Sequence, residues 1–432
     1  MKRNKKINFI TLGCSKNVVD SEHIAAQLEA AGYELEHDSN DPDAGIVVIN
    51  TCGFIGDAKE ESINMILESA GMKKEGLIDS LFVIGCLSER YADELRVEIP
   101  EVDEYFGARD LTGVIKSLNA EYRNELETVR HLSTPSHYAY LKISEGCNWH
   151  CSYCAIPLIR GKHVSVPMEK LLEEARELSR NGVKELIVIA QDTTYYGVDI
   201  YGERRLAELL RGLAKIDGIG WIRLHYTYPT GFPDDVIEVM RDEPKICKYI
   251  DIPLQHISDN VLAGMKRNIT KAQTQELIAK LRREIPGIAI RTTMLVGFPG
   301  ETESDFEELL QFVSVEKFER LGVFPYSEEE GTYAGDKMKD DIPQAEKERR
   351  AEAVMELQGN ISAAANVSKV ERRMKVLIDS REGDYYVGRS EWDSPEVDQE
   401  ILVSSAKPLK TGNFYEVTIT GAEDYDLYAE YK

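Results

Sequence analysis

Short apolar runs alternating with amphipathic helical stretches make up most of this chain, and that alternation constrains its fold more than any other feature. Between Ile7 and about Leu126 the apolar runs are Ile7–Leu12, Gly45–Asn50 and Leu81–Gly85, and helical patterns lie over Asp20–Ala31, Asp57–Ala70 and Ser88–Glu98. Repeated strand–helix units pack most simply as parallel strands with crossover helices, so the spacing predicts an α/β domain with a parallel sheet. Each run ends almost at once in a cysteine, in the contexts Leu12-Gly13-Cys14-Ser15-Lys16-Asn17, Asn50-Thr51-Cys52-Gly53-Phe54 and Ile84-Gly85-Cys86-Leu87. The carboxyl ends of parallel strands share one sheet edge, where open α/β folds bind ligands. A lone free cysteine is often just a small buried apolar side chain. Three at equivalent strand ends, each beside a Gly or Thr that admits close backbone approach, point to a ligand set converging on one site.

A Ser/Thr/Pro/His stretch, Leu132-Ser133-Thr134-Pro135-Ser136-His137, reads as a linker. Beyond it, to about Ile361, lie six further strand candidates, Ala139–Ile143, Glu185–Ala190, Trp221–Tyr226, Tyr249–Leu254, Ala289–Val296 and Arg320–Phe324. Helical patterns such as Met168–Asn181, Leu206–Ile216 and Lys271–Glu284 separate them, and a charged helix over Gln344–Asn360 closes the block. Six β/α units predict a partial barrel whose active site lies at the carboxyl ends of its strands.

Directly after the first of these strands comes Glu145-Gly146-Cys147-Asn148-Trp149-His150-Cys151-Ser152-Tyr153-Cys154. The C-x3-C-x2-C spacing lets one tight loop set three thiolates on three corners of a cubane iron–sulfur cluster. No fourth cysteine follows nearby, so one iron keeps an open position that can bind the amino and carboxylate groups of S-adenosylmethionine (SAM). A zinc site completed by His150 is the alternative. The adjacency of His150 and Cys151 makes joint chelation awkward, and no second C-x2-C pair of zinc-ribbon type is present. A disulfide fits less well still in a chain that reads as cytosolic. Cys14, Cys52 and Cys86 then become candidate ligands of a second cluster, while Cys247 lies outside both sets and reads as a buried thiol.

From about Ser368 the pattern changes to period-two runs, Lys375–Ile378, Glu400–Val403 and Phe414–Ile419, which predict a small all-β barrel of OB-like type. Such barrels often bind oligonucleotides, but this segment carries 9 Lys/Arg against 14 Asp/Glu, and the whole chain has a net charge of -24. Phosphate binding asks for the opposite sign, so direct nucleic-acid binding is disfavoured and a small-molecule or basic-protein substrate is favoured. Glu396, Asp398 and Glu400 are candidate contacts for a basic partner, and Glu328-Glu329-Glu330 reads as a solvated loop. No apolar run is long enough to span a bilayer. Lys2 to Lys6 followed by Ile7–Cys14 faintly resembles a lipoprotein signal, but the stretch is short and holds Asn8, so a buried first strand reads better. Seven cysteines, an odd number, fit reduced thiols and metal ligands, and the expected location is cytoplasmic.

Taken residue by residue, the chain resembles the radical SAM methylthiotransferases from end to end. The similarity is carried by the C-x3-C-x2-C with Tyr153 before its last cysteine, and by Leu12–Glu22, Asn50–Ile55, Gly85–Tyr91 and Lys142–Cys147. Arg223-Leu224-His225-Tyr226 and Pro395-Glu396-Val397-Asp398 look like the branch that methylthiolates an aspartate of small ribosomal subunit protein twelve. The resemblance implies a multidomain α/β chain with an N-terminal methylthiotransferase domain over residues 1–126, a radical SAM core over 138–367 and a C-terminal TRAM barrel over 368–432. It implies two [4Fe–4S] clusters, at Cys14/Cys52/Cys86 and Cys147/Cys151/Cys154, with no catalytic side chain beyond them. One SAM is reductively cleaved to a radical that takes hydrogen from the aspartate β-carbon, and a second donates the methyl group. Cofactors carry this chemistry while the protein orients them. Tyr153, Gln191, Asp192, Arg223, Gln255 and the Gly297–Glu301 turn are the candidate SAM contacts, on the strength of strand-end position. The implied partners are the ribosomal protein or ribosome and a flavodoxin-like or ferredoxin-like electron donor. The rival readings are a tRNA adenosine methylthiotransferase and a non-enzymatic iron–sulfur electron carrier.

Overall fold

The computed structural model of the chain describes residues 5–39 and 43–432, so Lys2 and the start of the signal-like stretch lie outside the described residues. The chain forms two compact units. The first holds the residues up to Thr134 with Tyr140–Trp149 and Cys154–Glu177; the second holds Pro135–Ala139, His150–Tyr153 and Leu178–Lys432.

The first unit is built on five strands, β1 Lys6–Thr11, β2 Glu34–His37, β3 Ile46–Thr51, β4 Ser80–Gly85 and β5 Glu104–Tyr105. They are all parallel, in the order β2-β1-β3-β4-β5. Helices α1 Ser15–Ala30, α2 Gly56–Lys74 and α3 Cys86–Glu98 are the crossovers after β1, β3 and β4. Successive side chains in a strand point to opposite faces, so β3 feeds two cores. Val48 joins Phe9, Phe82, Ile24 and Leu28 on one face, whereas Val47 and Ile49 join Val83, Ile66 and Leu95 on the other. Truncating fully buried Phe9 to Ala would cost about 3–5 kcal/mol. Strands β2 and β5 were not anticipated; Glu34-Leu35-Glu36-His37 is too polar and Glu104-Tyr105 too short to stand out as apolar runs.

Chain order reverses between β1 and β3, since β2 lies to one side of β1 and β3, β4 and β5 to the other. Such a reversal is the switch point at whose strand ends doubly wound sheets bind ligands. Cys14 follows β1, Cys52 follows β3 and Cys86 follows β4.

A sixth strand, β6 Tyr138–Lys142, leads to a two-residue ribbon of β7 Ser144–Glu145 paired with β8 Val164–Ser165, which brackets the Cys147–Cys154 loop. In the second unit, β9 Glu185–Ile189, β10 Trp221–Leu224, β11 Ile246–Asp251, β12 Ala289–Val296 and β13 Arg320–Pro325 run parallel in sequence order. The opening of β6 takes the edge of this sheet, where the amides of Lys184 and Glu185 both donate to the His137 carbonyl. Strand β9 is buried throughout, which explains its unbroken apolar Leu-Ile-Val-Ile reading. The closing helix runs on to Val367 rather than stopping at Asn360, because Ala363, Ala364 and Ala365 are strong helix formers.

The end of the chain closes a five-stranded barrel of β14 Arg373–Glu382, β15 Tyr385–Arg389, β16 Ile401–Ser405, β17 Phe414–Ala422 and β18 Leu427–Tyr431, in the order β14-β15-β16-β18-β17. Its interior is Val376, Ile378, Ile401, Val403, Val417 and Leu427. Strands β15 and β18 escaped the sequence reading because Tyr and Gly dilute their apolar alternation.

Candidate functional site

The strand-end triad of the first unit is set by close backbone approach. Gly13 adopts φ +91°, and a Cβ there would lie 2.7 Å from Cys52 Cβ and 3.1 Å from its sulfur. A Cβ on Gly53 would lie 2.6 Å from the Leu87 amide nitrogen and 2.7 Å from the Cys86 carbonyl. Gly85, at φ +115°, would place one 2.5 Å from both Asn50 Oδ1 and the Thr51 carbonyl. The glycines beside the cysteines are thus required by contact, since any side chain would push the three strand ends apart.

Asn17 ties these ends together from wholly buried ground in the first turns of α1. Its Nδ2 donates to the carbonyls of Leu12 (2.8 Å) and Thr51 (3.1 Å), and its own carbonyl accepts from Asn50 Nδ2 at 3.0 Å. Asn17 Oδ1 lies 3.9 Å from Cys86 Sγ and accepts from Arg160 Nη2. Burial pushes the Cys52 thiol up and the Cys86 thiol to about 11; Cys14 adds to both rises, Glu61 to that of Cys52 and Cys52 to that of Cys86, while Arg160 opposes both. Three thiols at neighbouring strand ends, with one buried guanidinium close to them, fit the soft, anionic ligand shell of an iron–sulfur cluster.

Arg160 is 2% exposed and bridges Asp20 of α1 (2.8 Å) and Glu145 (3.0 Å), the residue two before Cys147. Lys142 pairs with the same two carboxylates. Two cations against two carboxylates give a balanced buried network, and balance is what makes buried charge tolerable. Glu145 leads into Gly146, at φ +74°, where a Cβ would collide with the Lys162 carbonyl, and the Cys147 amide donates to the Gly161 carbonyl at 3.0 Å. Neither Asn17 nor Arg160 was singled out from the sequence, although both lie within a few residues of a cysteine.

In the second unit, Cys151 Sγ lies 3.7 Å from Arg267 Nη1 and 3.6 Å from the Tyr228 hydroxyl. Ser152 is buried and anchors the loop, its amide donating to the Met265 carbonyl (2.9 Å) and its hydroxyl to the Gly264 carbonyl (2.7 Å). Tyr153 packs against Val261, Met265, Phe298, Tyr326 and Ala334. Gln255 follows β11 with φ +72°, its amide donating to the Thr293 carbonyl at 2.8 Å. A left-handed Gln at a strand end is strained backbone of the sort that accumulates at functional sites. Asp192, after β9, caps the turn Thr193–Tyr195 by accepting from the Thr194 amide (2.8 Å) and hydroxyl (2.6 Å), and Gln191 precedes it. In the Gly297–Glu301 turn, Glu301 accepts from the amides of Gly297 (2.6 Å) and Phe298 (3.1 Å) and pairs with Arg350 at 2.9 Å.

Three expectations are corrected. Arg223 does not reach a strand-end ligand site; its guanidinium turns toward Glu185 (2.7 Å), at the amino end of β9, and toward the carbonyls of Glu391 and Ser390 at the terminal barrel. A side chain in the middle of a short strand reaches whichever end holds its counter-charge, and here that is the barrel junction, where Arg389 joins the same Glu185. Asp398 is not a surface carboxylate, for its side chain is 1% exposed and accepts from Tyr249 Oη (2.8 Å) and the Ser394 amide (2.9 Å). Glu329 is buried rather than solvated. Cys247 is buried as expected, its thiol pushed up to about 12 by burial.

Among the described residues no group of three His, Cys, Asp or Glu side chains is gathered as a site for a single metal ion. Zinc needs its ligands about 2.0–2.3 Å from one centre, whereas a cubane spreads its cysteines over separate irons. Among the described residues no helix is long and apolar enough to cross a membrane.

Residues 6–107 match the Uncharacterized protein family UPF0004, residues 141–313 the Radical SAM superfamily and residues 370–431 the TRAM domain. Parallel sheets, cysteine loop and these matches define a radical SAM enzyme, which implies a [4Fe–4S] cluster and SAM. The chain is 56% identical over 431 residues to the ribosomal protein uS12 methylthiotransferase RimO of Bacteroides thetaiotaomicron, covering 100% of this chain and 99% of that one. It is 56% identical over 432 residues to the RimO of Flavobacterium johnsoniae, covering 100% and 98%. The chain belongs to the RimO family of radical SAM methylthiotransferases. Among solved structures, the radical SAM methyltransferase TsrM of Kitasatospora setae shares the fold, with a TM-score of 0.57 at 14% identity over 77% of each chain.

Proposed function

We propose that this enzyme methylthiolates the β-carbon of an aspartate in ribosomal protein uS12. The observation that carries the reading is the set of three cysteines at the switch-point strand ends, beside a separate C-x3-C-x2-C loop, in a chain of the RimO family. Cys147, Cys151 and Cys154 are assigned to the cluster that cleaves SAM, and Cys14, Cys52 and Cys86 to a second cluster that holds the sulfur to be transferred. When bound, these groups supply radical hydrogen abstraction, the sulfur and the methyl group, chemistry beyond any side chain.

The chain's own residues hold and shield. The glycines at 13, 53 and 85 let the first triad converge, and Asn17 fixes its strand ends. Arg160 and Lys142 anchor Glu145 at the start of the second cysteine loop, and Ser152 anchors its middle. Tyr153, Gln191, Asp192 and Gln255 are assigned to SAM, and Arg223 is not. The domain limits we assign are 1–126, 138–367 and 368–432. The enzyme is assigned to the cytoplasm, with a flavodoxin-like or ferredoxin-like donor supplying electrons one at a time.

Anaerobically reconstituted enzyme given SAM and reductant, with uS12, whole small subunits or tRNA offered in parallel, decides the substrate by mass spectrometry. A methylthio group on a uS12 aspartate is the expected product. Modification of tRNA with uS12 untouched would overturn the assignment.

A further inference from the structure

We infer that Arg267 is a positioning residue for the SAM-cleaving cluster, donating an N–H···S hydrogen bond to the Cys151 thiolate and easing the cluster's one-electron reduction. The inference rests on the proposed assignment of Cys151 as a cluster ligand.

Arg130, Arg160, Arg223, Arg320, Arg350 and Arg389 are all buried, and each is paired with a carboxylate. Arg267 is equally buried, yet no carboxylate among the described residues lies within ion-pair distance of it, and its Nε has no hydrogen-bond partner. Its contacts are the Cys151 sulfur at 3.7 Å, the Pro253 carbonyl and the face of the Tyr228 ring at 4.3 Å. A guanidinium cannot shed its proton, and leaving one buried without an anion is costly. Its ionisable neighbours are the phenols Tyr153 and Tyr228 and the thiol of Cys151, and of these Cys151 is the one that becomes an anion on ligating iron, since the ligand is the thiolate. Arg267 is therefore a counter-ion waiting for a ligated cysteine.

The backbone supports this. Lys266 and Asn268 on either side adopt φ +55° and +54°, conformations that non-glycine residues rarely take, so the loop is bent to turn Arg267 inward. Through Pro253 the same guanidinium holds the segment that carries Gln255. Reduction moves one electron from the external donor onto the cluster, with no proton or bond change, and adds one negative charge beside the cation. Hydrogen bonds to cluster sulfurs are among the features that set such potentials.

The test is an EPR-monitored redox titration of the full-length reconstituted enzyme without SAM, with dithionite as reductant and iron counted in each sample. Arg267→Met should keep its iron but bind the electron about tenfold less favourably, a midpoint about 59 mV more negative. Arg267→Lys retains the charge without the two-pronged contact and should shift less. Where Arg267→Met does not fold, Arg267→Lys and Tyr228→Phe decide, both with midpoints below wild type. Full iron with wild-type midpoints in these variants would overturn the role of Arg267. Unchanged iron in Cys151→Ala would instead remove the cluster assignment beneath it.

Discussion

Replacing Gly13 with Ala tests whether close backbone approach is what gathers the strand-end cysteines. Two costs are involved, and a second glycine separates them. The first is conformational, because φ is +91° and holding alanine there costs roughly 1–2 kcal/mol. Gly32, between α1 and β2, has φ +88° and carries the same cost, but a Cβ there meets only Lys5 Nζ at 4.0 Å. The second cost is steric. The new methyl lies 2.7 Å from Cys52 Cβ, and ordinary contact begins at 3.4 Å, so Cys52 must retreat by about 0.7 Å. Metal–ligand distances tolerate only about 0.2 Å, so that retreat takes Cys52 out of the ligand set. Both variants should therefore lose similar backbone stability in denaturant titrations. Only Gly13→Ala should fall from about eight to about four irons on anaerobic reconstitution, keeping the cluster that cleaves SAM. Equal, full iron in both variants would refute the argument that these glycines position the triad.

Three further outcomes follow from the same geometry. Replacing Cys14, Cys52 and Cys86 with Ala should abolish methylthio transfer but leave reductive formation of 5′-deoxyadenosine, whereas loss of Cys147, Cys151 or Cys154 should remove both, as read by chromatography of the reaction. Glu396→Lys with Glu400→Lys should weaken uS12 binding most at low salt, because both positions are exposed on the barrel, while Asp398→Lys should destabilise the fold by about 3–5 kcal/mol by placing a charge among Arg291 and Arg320. His256 is buried, and burial holds its pKa down from 6.5 to about 4, so the unfolded chain takes up its proton first as pH falls. Its contribution is intact above pH 6.5 and drains away between pH 6.5 and 4, by about 3 kcal/mol, a loss that His256→Gln should not show in pH-dependent denaturation.

The sequence by itself determined the parts whose signal is local. Hydrophobic periodicity located β3, β4 and β9 because strands buried along almost their whole length read as near-continuous apolar runs, and β1 and β10 to β13 because apolar residues still dominate them between a few polar or charged ones. Cysteines at strand ends were legible because strand polarity alone puts carboxyl ends on one edge. The polar edge strand β2 and the diluted barrel strand β15 left no such trace. What only tertiary structure decided was the disposition of charge. Arg223 and Asp398 sit in segments that read as site and surface, yet each is drawn into a buried junction by partners far along the chain, Glu185 with the Ser390 and Glu391 carbonyls for one, Tyr249 and Arg291 for the other. Arg267, in a short unremarked loop, is brought to Cys151 across 116 positions. A long charged side chain goes where its desolvation is compensated, and no window of sequence contains that partner.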